Sequence, residues 1–330
     1  MPRPSIEPVV WQPPEAPERA RRSAGNRPLP PLRLLDLIGT GPEDVLVAPD
    51  GSVLTGLADG RIVRVRPDGG MVEVIADTAG RPLGLEWLTD GSLLVCDANR
   101  GLLRVDLPSG TAEVLVSDVD GQPMRFCNNA AVAADGTIYF TDSSRRFGID
   151  HWKADLLEHS STGRLLRRGL SDEVSVLLDG LDFANGVALA PDGSAVFVAE
   201  SGSYLLTRMD VATGRPEVFA TNLPGFPDNL SVGSDGLIWV AMGSGRSASL
   251  DLLLPRPPLL RKAVWALPDR LQPQPQRTVW VQAYDLDGRL VHDVQGPGDD
   301  RFHLVTGVRE HGGTVYLGSL RGRSIAAFDL

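Results

Sequence analysis

The chain has 330 residues, 42% of them hydrophobic, with 36 Gly, 26 Pro and a formal net charge of −10 at pH 7. The acidic balance argues against nucleic acid and against an anionic bilayer as partners, since both require a basic surface. No run of about 18 apolar residues is present, which argues against a transmembrane segment. With two cysteines, Cys96 and Cys127, and no apolar signal-peptide core, we expect buried thiols in a reducing, cytoplasmic compartment.

The N-terminal residues 1–31 are rich in Pro and Arg. We expect them to form an extended arm that lies on the domain or is partly disordered. The rest of the chain, 32–330, is predicted to be one domain. Its first apolar segment, residues 32–38, is expected to supply the outer strand of the last repeat, which closes the domain and removes an exposed strand edge.

The middle of the chain repeats a unit of about 40 to 55 residues, consistent with a propeller. In each unit two apolar strands flank a turn, and five of these turns carry the Asp-Gly sequence that is typical of hairpins, at Asp50, Asp90, Asp135, Asp192 and Asp235. A sixth copy is degenerate, and further short strands follow most hairpins. The pattern predicts an all-β fold, a six-bladed β-propeller with four-stranded antiparallel blades and a helical insertion in blade 5.

That insertion lies between Trp239 and Val279 and contains apolar, Pro-rich sequence. We expect it to be a lid over the axial pocket, because long insertions in compact domains are usually functional or disordered. The alternative is an insertion that packs outside the blade. An apolar helix within residues 244–278 also predicts weak contact with lipid or a protein partner.

The residue seven positions before each Asp-Gly turn is an oxygen donor in four of the five hairpins. We expect each of these four residues to be the first residue of the innermost strand of its blade, and equal offsets in a closed ring place them together on its axis. Two carboxylates and two amides suit Ca²⁺, which takes about six to eight oxygen ligands, or another divalent cation. Asn229 and Asn129, which directly follow two of these donors, are further candidates for a ligand or a hydrogen-bond donor. The alternative is that Asn and Asp cap turns at strand starts. The four donors are Glu43, Asn128, Asn185 and Asp228, and the fifth position is Leu83.

Several other chemistries lack their motifs. The sequence contains no GxSxG elbow, phosphate-binding Walker loop, HExxH zinc motif or GxGxxG on a strand–helix unit. None of the five histidines lies at the seven-residue offset, and we interpret them as surface or loop residues, with His151 the one candidate to line the pocket.

Taken together, these segments resemble the strictosidine synthase-like propellers, most closely the adipocyte plasma-membrane-associated branch. The motifs include EDVLVAPDG, GRPLGLEW, YFTDSS, FANGVALAPDGS, LPGFPDNLS and EHGGTVYLGSL. More distantly they resemble paraoxonases and the gluconolactonase/senescence-marker lactonases. The resemblance implies a six-bladed propeller with a catalytic calcium, bound by Glu43, the amides Asn128 and Asn185, and the pair Asp228–Asn229.

The chain departs from these relatives at three positions. The catalytic glutamate of true strictosidine synthases is matched by Thr306, which argues against condensation of an amine with an aldehyde. The histidines of paraoxonases are matched by Leu83 and Ala98, so a histidine dyad is absent.

The leading hypothesis is calcium-dependent hydrolysis of a small-molecule ester or lactone, with the metal polarising the carbonyl. The resemblance implies Asp228 as the catalytic base, with Glu43 as the other matched carboxylate and Asp97 as a further channel candidate. The alternatives are a condensation or cyclisation enzyme of natural-product metabolism, and a non-catalytic binding propeller with structural calcium.

Overall fold

The computed structural model describes residues 3–22 and 25–330. Two short strands, β1 (Arg27–Pro28) and β2 (Arg33–Asp36), precede six sheets arranged as the blades of a propeller. The first strand of each blade packs against the first strand of a neighbouring blade, around a common axis. The predicted all-β six-bladed propeller is therefore confirmed.

The first three blades are antiparallel sheets of four strands that follow in chain order. Blade 1 consists of β3 (Leu46–Val47), β4 (Val53–Gly56), β5 (Arg61–Val65) and β6 (Val72–Asp77). Blade 2 consists of β7 (Pro82–Trp87), β8 (Leu93–Asp97), β9 (Gly101–Asp106) and β10 (Thr111–Val116), followed by a small hairpin of β11 (Asp118–Val119) and β12 (Gln122–Pro123). Blade 3 consists of β13 (Cys127–Val132), β14 (Ile138–Asp142), β15 (Gly163–Arg168) and β16 (Val174–Leu181).

The last three blades follow the same order, with strands from the N-terminal region added to two of them. Blade 4 consists of β17 (Ala184–Leu189), β18 (Ala195–Glu200), β19 (Leu205–Asp210) and β20 (Pro216–Ala220). Blade 5 consists of β21 (Gly225–Val232), β22 (Ile238–Gly245), β23 (Thr278–Tyr284) and β24 (Leu290–Pro297), and β1 pairs with β24 in parallel. Blade 6 consists of β25 (Val305–His311), β26 (Thr314–Ser319) and β27 (Ser324–Asp329).

The fourth strand of blade 6 is β2, which pairs antiparallel with β27. Its side chain Leu35 is 1% exposed and packs with Val45 of blade 1 and Ile325 of blade 6. The predicted closure by residues 32–38 is confirmed, because a segment before the first blade completes the last.

The Asp-Gly turns form because the aspartate side chain accepts a hydrogen bond from a backbone N–H of the turn that has no backbone partner. In the first turn Asp50 Oδ1 accepts the Ser52 N–H at 3.0 Å, and Gly51 has a φ of 81°, which a residue with Cβ rarely adopts. Asp90, Asp135, Asp192 and Asp235 accept the equivalent N–H at 2.9 to 3.0 Å. The turn chemistry therefore fixes the same hairpin register in five blades.

The innermost strands are not regular. In five blades the pairing with the second strand skips two residues, between Pro82 and Leu85, Cys127 and Ala130, Ala184 and Val187, Pro227 and Leu230, and Val305 and Val308. Such β-bulges redirect side chains and locally increase the twist of the strand. Four of the residues at the seven-residue offset, Leu83, Asn128, Asn185 and Asp228, lie inside these bulges, whereas Glu43 precedes β3 in a blade whose first two strands pair regularly. The expectation that each is the first residue of its strand is wrong.

Two connections carry helices. Between β14 and β15 a 3-10 turn (Ile149–His151) leads into α1 (Trp152–Glu158). Between β22 and β23 lie α2 (Ala248–Leu253), α3 (Pro258–Ala266) and a 3-10 turn (Asp269–Leu271). The Ser247 hydroxyl caps α2 by accepting the Leu250 N–H at 3.3 Å. The helical insertion in blade 5 is confirmed, whereas α1 was not predicted.

Two further 3-10 turns are Glu18–Arg21 and Ser201–Ser203. Within the described ranges, no helix combines the length and apolar character that crossing a membrane requires.

Candidate functional site

A cavity of about 370 Å³ lies at one end of the propeller axis. All five residues at the seven-residue offset line it, namely Glu43, Leu83, Asn128, Asn185 and Asp228. Thr306, the residue in the bulge of blade 6, lines it as well. One side chain from each blade therefore reaches the same space.

Two amide side chains are held with their oxygens free. Asn128 Nδ2 donates to Ser143 Oγ at 2.9 Å, and Asn185 Nδ2 donates to Ser201 Oγ at 3.1 Å. Both Oδ1 atoms are buried and find no hydrogen-bond partner among the described residues. A buried acceptor without a partner is costly. These two oxygens are therefore available to coordinate a cation or to accept a hydrogen bond from a ligand.

Two carboxylates line the same cavity. Burial raises the pKa of Glu43 well above its ordinary value, and the charges of Asp44 and Asp228 raise it further. Burial also raises the pKa of Asp228 to about 8, with Asp44 adding to the rise and Asn185 opposing it. Without a cation, this site holds protons that a nearby positive charge would displace.

Asn229 does not line the cavity. It is fully buried and its Nδ2 lies 3.2 Å from both carboxylate oxygens of Glu43, while its Oδ1 has no partner among the described residues. The structure therefore places this predicted ligand beside Glu43, where it orients the carboxylate.

A second layer is formed by the residues that directly follow the six lining residues along the chain. Asp44 Oδ2 accepts the Asn129 Nδ2 at 3.3 Å and the Leu85 N–H at 3.1 Å. In every second blade the residue of this layer is a glycine. A Cβ on one of them, Gly186, would lie 2.6 Å from the Cα of Asn229. Asp44 was missed, although its position directly after Glu43 is the signal that could have identified it.

One wall of the cavity is apolar. Leu83, Ala98, Phe126 and Phe183 form a buried cluster, in which the two phenyl rings pack edge to face at 5.5 Å. Of the two positions that match the paraoxonase histidines, Leu83 lines the cavity, and Ala98 packs behind it in the same cluster. The Thr306 hydroxyl donates to the Glu43 carbonyl at 2.7 Å, so it stabilises the backbone of the site.

The cavity is covered by two segments, which we call the roof. One is residues 149–158, which include α1 and contribute Ile149, Trp152 and Leu156 to the lining. The other is the blade 5 insertion, residues 246–276, which contributes Leu250 and Gln272 among others. The expected lid over the axial pocket is therefore confirmed, and α1 forms a second half that the sequence reasoning missed.

Two other candidates lie elsewhere. Asp97 is fully buried outside the cavity, where it accepts the Thr78 hydroxyl at 2.7 Å and the Asn99 N–H at 2.9 Å, so its interpretation as a channel base is wrong. His151 lines a separate cavity with Arg3, Lys153 and Trp265.

The donor set fits a hard cation only if the amides take part. No group of three or more His, Cys, Asp or Glu side chains able to hold a metal occurs within residues 3–22 and 25–330. Two carboxylates with two free amide oxygens nevertheless match the ligand chemistry of Ca²⁺.

Comparisons with known proteins place this architecture in a family. Residues 50–250 match the family model described as the SMP-30/Gluconolactonase/LRE-like region, and residues 24–65 match the strictosidine synthase-like N-terminal model. STRICTOSIDINE SYNTHASE-LIKE 6 of Arabidopsis thaliana is 33% identical over 308 residues, covering 89% of this chain and 81% of the relative. The adipocyte plasma membrane-associated protein of Rattus norvegicus is 32% identical over 326 residues, covering 90% and 85%.

Solved structures share the fold at low identity. A gluconolactonase from Xanthomonas campestris superposes with a TM-score of 0.65 at 21% identity, covering 99% of both chains. Regucalcin, a calcium-binding protein from Agrobacterium tumefaciens, superposes with a TM-score of 0.64 at 15% identity, covering 91% of this chain and 94% of that one. By sequence and by fold, the chain belongs to the strictosidine synthase-like family of lactonase-like six-bladed β-propellers.

Proposed function

We propose that this protein is a calcium-dependent hydrolase of small esters or lactones. The observation that carries the proposal is the pair of buried amide oxygens, on Asn128 and Asn185, that have no protein partner beside two carboxylates. The calcium-binding regucalcin and the gluconolactonase that share the fold support the cation and the reaction class.

Four side chains would hold the cation: Glu43, Asn128, Asn185 and Asp228. When bound, Ca²⁺ supplies Lewis-acid polarisation of the substrate carbonyl and stabilises negative charge on its oxygen. Asn229 keeps Glu43 in place, and the serines behind the two amides fix their orientation.

Asp228 is the proposed base that takes a proton from the attacking water. Glu43 and Asp228 are the two acidic side chains in the described lining of the cavity. Both oxygens of Glu43 accept from Asn229, whereas Asp228 is only half-buried. Asp228 therefore has more freedom to accept a proton and release it.

The cavity selects for an apolar substrate group. Phe126, Phe183 and Phe226 line it together with several leucines, which favours a substrate with an apolar group that packs against them. We expect esters or lactones with an aromatic or aliphatic group that fits about 370 Å³.

The test is turnover of aryl esters and of lactones with increasing alkyl chains, with Ca²⁺ or with EDTA. Asp228→Asn is expected to lower kcat at least about a hundredfold at saturating Ca²⁺, within the range of general-base effects. Asp192→Asn, in an exposed turn, is the matched control. Hydrolysis that is unchanged in Asp228→Asn with metal bound would exclude Asp228 as the base.

A second candidate is condensation or cyclisation on the same site. The apolar lining residues Leu83, Phe126 and Phe183 favour it, because a dry wall protects a reactive intermediate from water. Turnover of a broad ester and lactone panel would argue against it. The non-catalytic alternative gains support if EDTA lowers Tm while no activity is found on any panel.

We also propose weak lipid contact through residues 244–278. Of the six Arg or Lys in this segment, Arg246 and Arg261 are buried, whereas Arg256, Arg270 and Arg277 are exposed. Leu252, Leu259 and Leu271 are 60%, 75% and 61% exposed. Exposed leucines beside basic residues are typical of a segment that lies on an anionic membrane surface, and the plasma membrane association in the rat relative's name is consistent with this.

Sedimentation with vesicles of phosphatidylcholine, with and without phosphatidylglycerol, tests the contact. Leu259→Ser is expected to lower the bound fraction, and Leu170→Ser, an exposed leucine at 67% on blade 3, is the control. Equal sedimentation of both variants, or none with either vesicle, argues against lipid contact.

A further inference from the structure

Arg261, on α3, has a buried guanidinium that joins three separate segments. Its Nη1 donates to the carbonyls of Leu157 at 3.0 Å and Glu158 at 3.4 Å, and its Nη2 donates to the Val9 carbonyl at 2.7 Å. The side chain is fully buried, yet it forms no ion pair with a carboxylate in the described part of the chain. A buried cation is costly unless its contacts repay the lost hydration, so this arrangement needs an explanation.

The carbonyls that Arg261 binds lie at the end of α1. The last carbonyls of a helix have no partner within it and carry partial negative charge. The chain leaves α1 at His159 with a φ of 57°, which exposes these groups to the blade 5 insertion. Arg261 therefore links the two halves of the roof at the point where α1 needs a donor.

Residues 3–13 of the N-terminal region, which we call the arm from here on, bind both halves of the roof as well. The Val9 N–H donates to the Glu158 carbonyl at 2.8 Å, and two residues later the Trp11 N–H donates to the Leu254 carbonyl at 3.2 Å. Trp11 also stacks on His159 with the ring centres 4.3 Å apart.

The side chains of the arm extend this link. Ile6 is 2% exposed and packs in one apolar cluster with Ala154 and Leu157 of the α1 half and Leu250 and Trp265 of the insertion. The Trp265 Nε1–H donates to the Pro4 carbonyl at 2.7 Å. The arm lies outside the cavity, but the residues it packs against include Leu157 and Leu250, which line it.

We propose that Arg261 and the arm position the roof: together they fix the separation of its two halves and thereby the size of the cavity opening. Neither touches the residues of the candidate cation site. Arg261 is thus a positioning residue, and its loss should loosen the roof while the propeller stays folded.

Hydrogen exchange measured by mass spectrometry tests this without any assay of activity. Arg261→Met keeps an unbranched apolar stem and removes all the donors of the side chain, and deletion of residues 1–13 removes the arm. In both, we expect exchange in 152–158 and 258–266 to accelerate at least tenfold, with 195–200 of β18 unchanged. Arg256→Met, in the exposed connection between α2 and α3, should behave as the wild type.

Two results would overturn the proposal: wild-type exchange in the roof of the deletion variant, or acceleration that spreads equally to β18. Trp11→Ala provides a milder change should Arg261→Met fail to fold, and the same two outcomes decide it. Calcium affinity, measured by calorimetry, is expected to stay within about twofold of the wild type in all variants. Failure of the hydrolase proposal would leave these measurements valid, because they report the roof and the cation site separately.

Discussion

Asn128 and Asn185 are held in the same way on adjacent blades. Each lies in the bulge of an innermost strand and donates its amide N–H to a serine that follows the second strand of its own blade, Ser143 or Ser201. Ser201 in turn donates to the Pro227 carbonyl. The serines fix which end of each amide faces the cavity, so both oxygens are presented to a cation.

Asn185→Ala is expected to lower Ca²⁺ affinity at least tenfold, because it removes one of four oxygen donors at a site that must also replace the ion's hydration shell. Isothermal titration calorimetry measures the Kd, and the Ca²⁺-dependent rise in Tm should shrink in parallel. Asn99→Ala, in an exposed turn, is the matched control. Equal affinity in Asn185→Ala and the wild type would show that this oxygen is not a ligand.

Calcium affinity should increase with pH between 6 and 8. Burial raises the pKa of Asp228 to about 8 and that of Asp44 to about 6, so the metal-free site carries protons in this range. Binding must release them, and each released proton makes the Kd fall about tenfold per pH unit below the pKa. Calorimetry in buffers of different ionisation enthalpy counts the protons. Asp228→Asn should flatten the pH dependence.

The stability of the metal-free protein should change in the opposite direction. Asp228 has a higher pKa in the folded state than its ordinary value of 3.8, so the folded state binds more protons. The free energy of unfolding should therefore fall as pH rises from about 4 towards about 8, by up to about 1.4 kcal/mol per pH unit for one proton. Urea unfolding in EDTA measures it. A rise in stability over that interval would contradict the raised pKa.

The sequence was sufficient for the fold because five of the six hairpins carry their own Asp-Gly turn signal. Asp-Gly turns set the strand register, and equal spacing from the turn to Glu43, Asn128, Asn185 and Asp228 predicted that these residues meet on one axis. Residues 32–38 were predicted to close the ring because an apolar strand with no blade of its own needed a partner. Both inferences depend on local chemistry repeated along the chain.

What the sequence could not predict depends on contacts between distant residues. The bulges depend on packing between blades, which the sequence alone does not reveal. The offset residues were therefore expected to begin their strands. Asp97 was interpreted as a channel residue because its strand ends near the axis, yet local hydrogen bonds to Thr78 and Asn99 hold it elsewhere. The helix α1 has only two turns, too few for a clear helical period, and its last carbonyls accept hydrogen bonds from Arg261 and Val9, which are distant in sequence.

Gly186→Ala is expected to destabilise the protein by about 2 to 3 kcal/mol, which is typical of overpacking in a tightly packed core. A Cβ at this position would meet the backbone of Asn229 and Leu230, which cannot move without displacing blade 5. Urea unfolding measures the loss. Gly193→Ala, where the Cβ meets nothing within 4 Å but φ is 73°, should cost about 1 kcal/mol from backbone strain alone. A smaller effect at Gly186 than at Gly193 would contradict the close packing of the innermost strands.

The thiols of Cys96 and Cys127 should be unreactive in the folded protein. Both are free and fully buried, and burial raises the pKa of Cys127 well above its ordinary value, with Cys96 beside it raising it further. Because the thiolate is the reacting species, labelling with Ellman's reagent at pH 8 should be at least a hundredfold slower than for a free thiol, and two thiols should react at once in guanidinium chloride. Cys127 directly precedes Asn128, so local opening of this strand would expose the thiol and disturb the amide together. Rapid labelling of the native protein that Ca²⁺ suppresses would reveal such opening, whereas rapid labelling that ignores Ca²⁺ would contradict the buried position of the pair.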